Sequence, residues 1–553
     1  MKKYIYLALS SAVLLWLAWP PIPYTSLILC FAFVPLMVAL QRLENDDSIV
    51  KKPIFLIAGL TFLVWNTASI YWVFNSLNAV MPTIAACLLS LIPFGLGALL
   101  MTLSFWIYRK ITNKTKPFIA DISLIGLWMS YEYLHQSWDL KFPWMTLGNG
   151  FATTPQLIQC YEFTGVYGGS LWILVSNILI FRIWSLWNNG KWKVESGKLN
   201  VESRKWKVKG LSIALFAWIF IPTVCSVVIY NTYEEEINPS NVVVVQPNID
   251  PYGKNYTYTA EQQLEVLLKL SKEKAQVNTE FFIWPETALV GFTEETNFLS
   301  SQNFKTTSHF LDSFRNATVI TGAETYAVYQ NKKTPSARLD KQNNIYWDSF
   351  NTAVAIENSP KLQFYHKSKL VPGVEKMPFP AFLNILTPLF EKFGGSTGGY
   401  GGQEEPSNLY TASGIGVVPA ICYESIWGDW VAKSVNQGAQ FIAIITNDGW
   451  WGNTSGKDQH LDYARLRAVE NRRWVARSAN TGISAFINQR GDVVQQTEWW
   501  QPAVLKQDIN LNSELTFYTK HQDWLVYPFL LIGFMSLVYG LFIQFLNKKK
   551  SGG

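Results

Sequence analysis

Runs of apolar residues dominate the first 230 positions and the last 30, and between them the texture changes. A bilayer-crossing helix needs about 20 consecutive apolar residues. Seven segments approach that length before residue 232, at roughly 4–20, 25–41, 53–75, 83–108, 118–135, 168–187 and 210–231, and an eighth lies at roughly 524–546. The first resembles a secretion signal, with Lys2 and Lys3 ahead of an apolar run. It ends in Trp19-Pro20-Pro21 instead of small residues, and more spans follow, so the reading is a retained helix. From residue 241 short apolar runs alternate with amphipathic stretches. Asn241 to Gln246, Phe281 to Trp284, Ala317 to Thr321, Gly416 to Ile421, Phe441 to Ile445 and Ile483 to Ile487 predict strands, the third stopped by Gly322. Two hairpin-like runs meet near Asn358-Ser359-Pro360, and residues 260–276 have helical spacing. Strands alternating with helices indicate a layered α/β domain. The pattern therefore divides the chain into a seven-helix membrane domain at 1–231, a soluble-type domain at 232–523, and a last transmembrane helix with a basic tail at 524–553.

Composition agrees: 49% of residues are hydrophobic and 16% charged, against about 25% charged in soluble proteins. The net charge of +6 is a topology signal and not a nucleic-acid footprint, because the basic residues crowd alternate loops. Arg42, Lys51 and Lys52 follow the second span; Arg109, Lys110, Lys114 and Lys116 follow the fourth; seven Lys and Arg residues between 191 and 209 follow the sixth; Lys548 to Lys550 close the chain. The intervening loops are nearly free of basic residues; that after the fifth span has only Lys141. Both termini then fall in the cytoplasm, and 232–523 falls outside, in the periplasm of a bacterium. The near-repeat Lys191-Trp192-Lys193-Val194 and Lys205-Trp206-Lys207-Val208 is read as a solvated cytoplasmic loop. Phe142-Pro143-Trp144, after the fifth span, suits an interfacial aromatic belt or the wall of a lipid-access cleft equally.

Of five cysteines, Cys30, Cys87, Cys160 and Cys225 lie in or beside apolar segments, and none forms a CxxC pair. Cys422 alone lies in the polar domain, which makes a reactive thiol the hypothesis there. No motif calls for a metal, a nucleotide or another cofactor. Three polar groups stand at the ends of apolar strands, where layered α/β proteins place chemistry: Glu286 after Phe-Phe-Ile-Trp-Pro, Lys367 in Tyr-His-Lys-Ser-Lys, and Cys422 after Gly416 to Ile421. Each alone is weak; a helix-cap glutamate, a surface lysine and a buried core cysteine are the ordinary readings.

Their flanking residues resemble the nitrilase, or carbon-nitrogen hydrolase, superfamily, and within it the apolipoprotein N-acyltransferase family. Trp284-Pro285-Glu286-Thr287-Ala288, Tyr365-His366-Lys367-Ser368-Lys369-Leu370-Val371-Pro372 and Ile421-Cys422-Tyr423-Glu424-Ser425 resemble the segments of a catalytic Glu, Lys and Cys. Asn447-Asp448-Gly449-Trp450-Trp451-Gly452, Arg465 to Glu470 and Ala479 to Gly482 resemble stretches beyond the nucleophile. Where the family reads Val-Pro-Phe-Gly-Glu, this chain reads Val371-Pro372-Gly373-Val374-Glu375, and near Gln246 to Ile249 it has Tyr252 and Tyr256 in place of a Trp.

The resemblance implies about eight spans around an α-β-β-α sandwich. It implies Cys422 as nucleophile, Glu286 as general base and Lys367 as the cation that stabilises thiolate and oxyanion. Glu375, Tyr423 and Glu424 support them; Trp144, Trp451, Phe379 and Phe382 belong to a substrate cleft or lid, with residues 377–402 as the lid. The implied reaction moves an acyl chain from a phospholipid, through a Cys422 thioester, to the α-amino group of a diacylglyceryl-cysteine at the N-terminus of an apolipoprotein. The expected partners are these two substrates and the bilayer of a bacterial inner membrane, with a monomeric enzyme and no nucleic acid. A membrane-tethered amidase that gives the acyl group to water competes, as does an inactive lipid-binding scaffold.

Overall fold

A computed structural model gives the fold and describes residues 1–188, 201–252, 258–379 and 399–551. All eight apolar segments are helical. The third is broken into two helices, Ile54–Ile70 and Trp72–Val80, bent by 59°. The seventh begins early, at Val201, so Lys205 to Val208 lie on a helix and not in a loop; Lys and Arg are good helix formers, and the helix runs on past its apolar part. The first half of the near-repeat lies outside the described residues. Among the described residues five helices are long and apolar enough to cross a membrane, Ser26–Glu44, Thr83–Thr112, Val166–Asn188, Glu202–Thr232 and Trp524–Gln544, or six if the bent pair counts as one span. The other two of the eight fall short. Lys2–Leu17 has 16 residues, and Pro117–His135 carries Asp121 and Glu132.

The polar part holds fourteen strands among the described residues. The first seven are β1 (Pro239–Gln246), β2 (Thr279–Ile283), β3 (Leu289–Glu294), β4 (Thr318–Tyr329), β5 (Arg338–Asp340), β6 (Ile345–Ile356) and β7 (Gln363–His366). Then come β8 (Leu409–Tyr410), β9 (Gly416–Ile421), β10 (Ala439–Thr446), β11 (Val475–Ala479), β12 (Ala485–Ile487), β13 (Val493–Gln496) and β14 (Ala503–Asn510). One sheet runs β14-β1-β2-β4-β6-β5, with β3 on β4 and β7 on β6; the other runs β13-β12-β11-β10-β9-β8.

Alternation along the strands builds the layers. Val242 and Val244 of β1 face the same core as Phe441, Ala443 and Ile445 of β10, and the rings of Phe281 and Phe441 meet at 4.9 Å. Val243 and Val245 face Leu264, Leu267, Phe310 and Leu311, from the helices Ala260–Lys274 and Gln302–Leu311. Ile442 and Ile444 face Val431 and Val435 of the helix Gly428–Asn436, and Ala464 and Ala468 of the helix Ser455–Asn471. Period two turns each strand both to the other sheet and to a helix, which gives the expected α-β-β-α sandwich.

Gly322 does not stop β4. The strand passes through it to Tyr329. A Cβ there would meet Thr287 N at 2.3 Å and Glu286 Cα at 2.6 Å. Glycine is needed because the strand backbone runs against the backbone of the Glu286 loop.

Gln459 ties the sandwich to the membrane helices. Its Oε1 accepts from the indoles of Trp72 and Trp144 at 3.1 and 2.7 Å, and its Nε2 donates to the carbonyls of Pro20 and Ser69 at 2.8 and 2.9 Å. Ser69 sits at the break of the bent pair, where a helical carbonyl loses its own partner. Gln459→Leu leaves two indoles and two carbonyls buried and unpaired, at about 1–3 kcal/mol for each group that water cannot reach. The expected result is a lower midpoint of thermal unfolding in detergent; an unchanged midpoint would contradict this anchoring role.

Candidate active site

Glu286, Lys367 and Cys422 come from three strand ends. Glu286 follows β2, Lys367 follows β7 directly, and Cys422 follows β9 directly. The first two strands belong to one sheet and the third to the other, so the residues meet where the sheets present their carboxyl ends. Lys367 Nζ donates to Glu286 Oε1 at 3.1 Å and to Glu375 Oε1 at 2.7 Å. Lys367 is 1% exposed. Burial alone would lower its pKa, but the charges of Glu286 and Glu375 outweigh it and hold the amine well above its usual range, as a cation.

Cys422 turns the chain from β9 into a short 3-10 turn, with φ of +50°. A left-handed non-glycine residue costs on the order of 1–3 kcal/mol and persists only where its surroundings fix it. Burial pushes the thiol up to about 12, Glu286 adds to the rise, and Lys367 opposes it. The resting group is therefore a thiol, and its proton must leave as the nucleophile attacks.

Two carboxylates expected as supports take distinct places. Glu375 Oε1 takes the Lys367 ammonium, and its Oε2 accepts from Val371 N at 2.8 Å. Glu424 is fully buried and joins two segments: Oε1 accepts from the backbone N–H groups of Ser368 and Lys369 at 3.0 and 3.3 Å, and Oε2 from that of Ile421 at 3.3 Å. Burial raises its pKa. It pairs with neither Lys369 nor Lys376; it fixes the lysine segment to the nucleophile segment.

The aromatic residues gather on the membrane side. Tyr423 donates its hydroxyl to Lys141 O at 3.0 Å, and its ring stacks on Trp144 at 6.5 Å. Trp144 and Trp451 meet edge to face at 5.6 Å. Trp144 is 0% exposed, so it backs the wall from behind and does not line an open cleft. Phe379 lies apart, about a third exposed, with its ring 6.1 Å from Trp138. Phe382, Tyr256 and most of the 377–402 arm lie outside the described residues.

Two features escape sequence reasoning. Asn351, mid-strand in β6, donates to Glu286 Oε1 at 2.8 Å and to Glu375 Oε1 at 3.4 Å, and its carbonyl accepts from Lys367 N at 2.8 Å. One side chain thus orients both carboxylates around the ammonium. Beneath Cys422 lies His460, with Nε2 3.2 Å from the Cys422 carbonyl and 3.0 Å from Ser425 Oγ. His460 Nδ1 is 3.0 Å from Asp448 Oδ1, and Arg477 donates to Asp448 Oδ2 at 2.8 Å. Burial, then the Arg477 charge, keeps His460 below its usual range; against the same burial, Arg477 and His460 hold Asp448 down to about 2. The network grips the backbone of the nucleophile turn. Asp448 stood in a quoted motif, but nothing local links it to His460 or Arg477.

A buried thiol, cation and carboxylate at the strand ends of an α-β-β-α sandwich define a carbon-nitrogen hydrolase domain, and residues 241–514 match the carbon-nitrogen hydrolase family. Residues 11–179 match the apolipoprotein N-acyltransferase N-terminal domain. The chain is 30% identical to an apolipoprotein N-acyltransferase of Rickettsia prowazekii, over 73% of this chain and 74% of that one. It is 27% identical to one of Chlorobaculum tepidum, over 95% of this chain and 94% of that one. An amidase from Nesterenkonia sp. AN1 is similar over 52% of this chain and 98% of its own, at 14% identity and a TM-score of 0.34. The chain belongs to the apolipoprotein N-acyltransferase family and is a membrane acyltransferase.

The thiol at about 12 sets a pH dependence. Below its pKa the thiolate fraction grows about tenfold per pH unit. Alkylation of Cys422 by iodoacetamide, followed by peptide mapping without donor lipid, is expected to be slow at pH 7 and to keep rising through pH 9. A plateau reached below pH 8 would show a standing thiolate and contradict this.

Proposed function

We propose that this enzyme transfers an acyl chain from a phospholipid to the α-amino group of the diacylglyceryl-cysteine of an apolipoprotein, through a thioester on Cys422. The observation that carries the reading is a buried Glu286, Lys367 and Cys422 site whose next residue, Tyr423, bonds the loop of a membrane helix. Such a site meets ester carbonyls at the bilayer surface, which a soluble amidase has no need to do.

In the first half-reaction Cys422 Sγ attacks the ester carbonyl while Glu286 takes the thiol proton. The tetrahedral oxyanion forms beside the Lys367 ammonium, which stabilises it in a site closed to water. The carbon-oxygen bond then breaks, Glu286 returns the proton to the departing alkoxide, and lysophospholipid leaves. In the second half the lipoprotein amine attacks the thioester and Glu286 takes its proton. The carbon-sulfur bond breaks and Cys422 regains a proton. Glu375, Glu424 and Asn351 hold these groups in place.

The same reading sets the topology. Eight crossings, with the basic loops and both termini in the cytoplasm, put residues 232–523 in the periplasm between membrane segments 1–231 and 524–553. That side presents lipoprotein N-termini to a bacterial inner-membrane enzyme.

The acceptor separates this from hydrolysis. With isotope-labelled phospholipid and a synthetic diacylated lipopeptide, the wild type is expected to give N-acylated lipopeptide. Cys422→Ala is expected to give none, and Lys367→Met at least about a hundredfold less, as for loss of an oxyanion donor. Free fatty acid as the main product, with lipopeptide unmodified, would overturn the transferase reading in favour of an amidase-like hydrolase.

A further inference from the structure

Three lysines converge beside the nucleophile segment, and the acyl-transfer steps use none of them. Lys141 belongs to the loop after the helix Pro117–His135, while Lys369 and Lys376 belong to the segment that starts at Lys367. Lys141 Nζ lies 6.0 Å from the ring centroid of Trp427, and Lys369 Nζ lies 4.3 Å from that of Trp430. Both rings follow Cys422 closely in the chain. The backbone confirms the placement: Tyr423 donates to the Lys141 carbonyl at 3.0 Å, and Lys369 N–H donates to Glu424 at 3.3 Å. Lys376, half exposed, reaches Asp139 of the Lys141 loop at 4.0 Å. The lysines thus flank the segment carrying Cys422, one from the membrane domain and two from the sandwich.

Their charge is poorly balanced. Among the described residues no carboxylate lies within ion-pair distance of Lys141 or Lys369, and the one acid that Lys376 reaches is at the 4.0 Å limit. Glu424, nearest on the nucleophile side, already accepts three backbone N–H bonds. Asp139 also accepts from Phe379 N at 2.8 Å. Burial, then repulsion from Lys369 and Lys376, lowers Lys141 to about 8. Half-buried ammonium groups with so little counter-charge are costly, and an incoming anion relieves them. The tryptophans offer apolar and cation-π surface but no neutralising charge.

Converging cations with indole faces, at the membrane side of a site for esters, suit an amphipathic anion. A phospholipid carries its phosphodiester a few bonds from its ester carbonyls. We propose that Lys141, Lys369 and Lys376 hold the phosphate of the phospholipid donor and so seat its ester at Cys422. The assignment rests on the thioester reading above and names the donor's recognised group.

The test compares initial rates of Cys422 acylation, by intact-protein mass, from phosphatidylglycerol and from diacylglycerol with the same acyl chains, using the full chain in detergent. The wild type is expected to prefer the phosphorylated lipid. In a Lys141→Gln, Lys369→Gln double variant that preference is expected to fall about tenfold, as expected for lost charge-assisted phosphate contacts. The change should appear in KM more than in maximal rate, and Lys141→Arg with Lys369→Arg should restore it. If the double variant does not fold, Lys369→Gln and Lys376→Gln, at partly exposed positions, are each expected to lower the preference. An unchanged preference would overturn the proposal, as would a defect confined to discharge by lipopeptide, which would place the lysines at the acceptor. Competition by millimolar inorganic phosphate would identify a site for the free ion and overturn the lipid assignment. A wild type that loads from neither lipid would overturn the thioester reading, and this proposal with it.

Discussion

A lysine ammonium held away from water needs negative charge beside it, and at Lys367 two carboxylates supply it, Glu286 at 3.1 Å and Glu375 at 2.7 Å. An ammonium buried there without them would be an uncompensated charge, a loss of several kcal/mol in comparable pairs. Much of the surrounding structure follows from keeping these three groups together. Asn351 spans both carboxylates, Glu424 ties the lysine segment to the nucleophile turn, and β4 runs so close behind Glu286 that only Gly322 fits. Burial first, and then the charge of Glu286, keep the nucleophile a thiol against the pull of Lys367. Cys422 stays a thiol until its proton has a carboxylate to go to.

The second constraint is the seam between sandwich and membrane helices. The Cys422 turn lies on it, held from below by His460, Asp448 and Arg477 and from the side by the Tyr423 bond to Lys141 O. Gln459, adjacent to His460 on one helix, meets the break between the helices Ile54–Ile70 and Trp72–Val80. One helix therefore supports the nucleophile backbone with His460 and docks the membrane domain with Gln459, which joins catalytic geometry to membrane attachment.

The strands and the three chemical residues were legible because their signals are local. A β-branched run such as Val242 to Val245 marks a strand, and a polar residue at the end of one stands out from its neighbours. The apolar segments were legible as helices for the same reason. What the sequence hid is non-local. Apolar residues continue across the break at Tyr71, and the freed carbonyl of Ser69 is taken by Gln459, 390 positions away. Gly322 carries the usual mark of a strand end, but its role is to admit the Glu286 backbone. Asn351 and His460 are ordinary residues of a strand and a helix until the fold sets them beside the charges. Trp144 showed its aromatic character but not its depth.

The central claim is that Cys422 itself carries the acyl group between substrates. The most direct measurement is the intact mass of the full-length protein after incubation with phospholipid and no acceptor, with peptide mapping of the added mass. The account predicts one acyl chain on the Cys422 peptide, labile to hydroxylamine as a thioester is. An unmodified Cys422, in folded protein that still transfers acyl chains to lipopeptide, would contradict it and require direct transfer without a covalent intermediate.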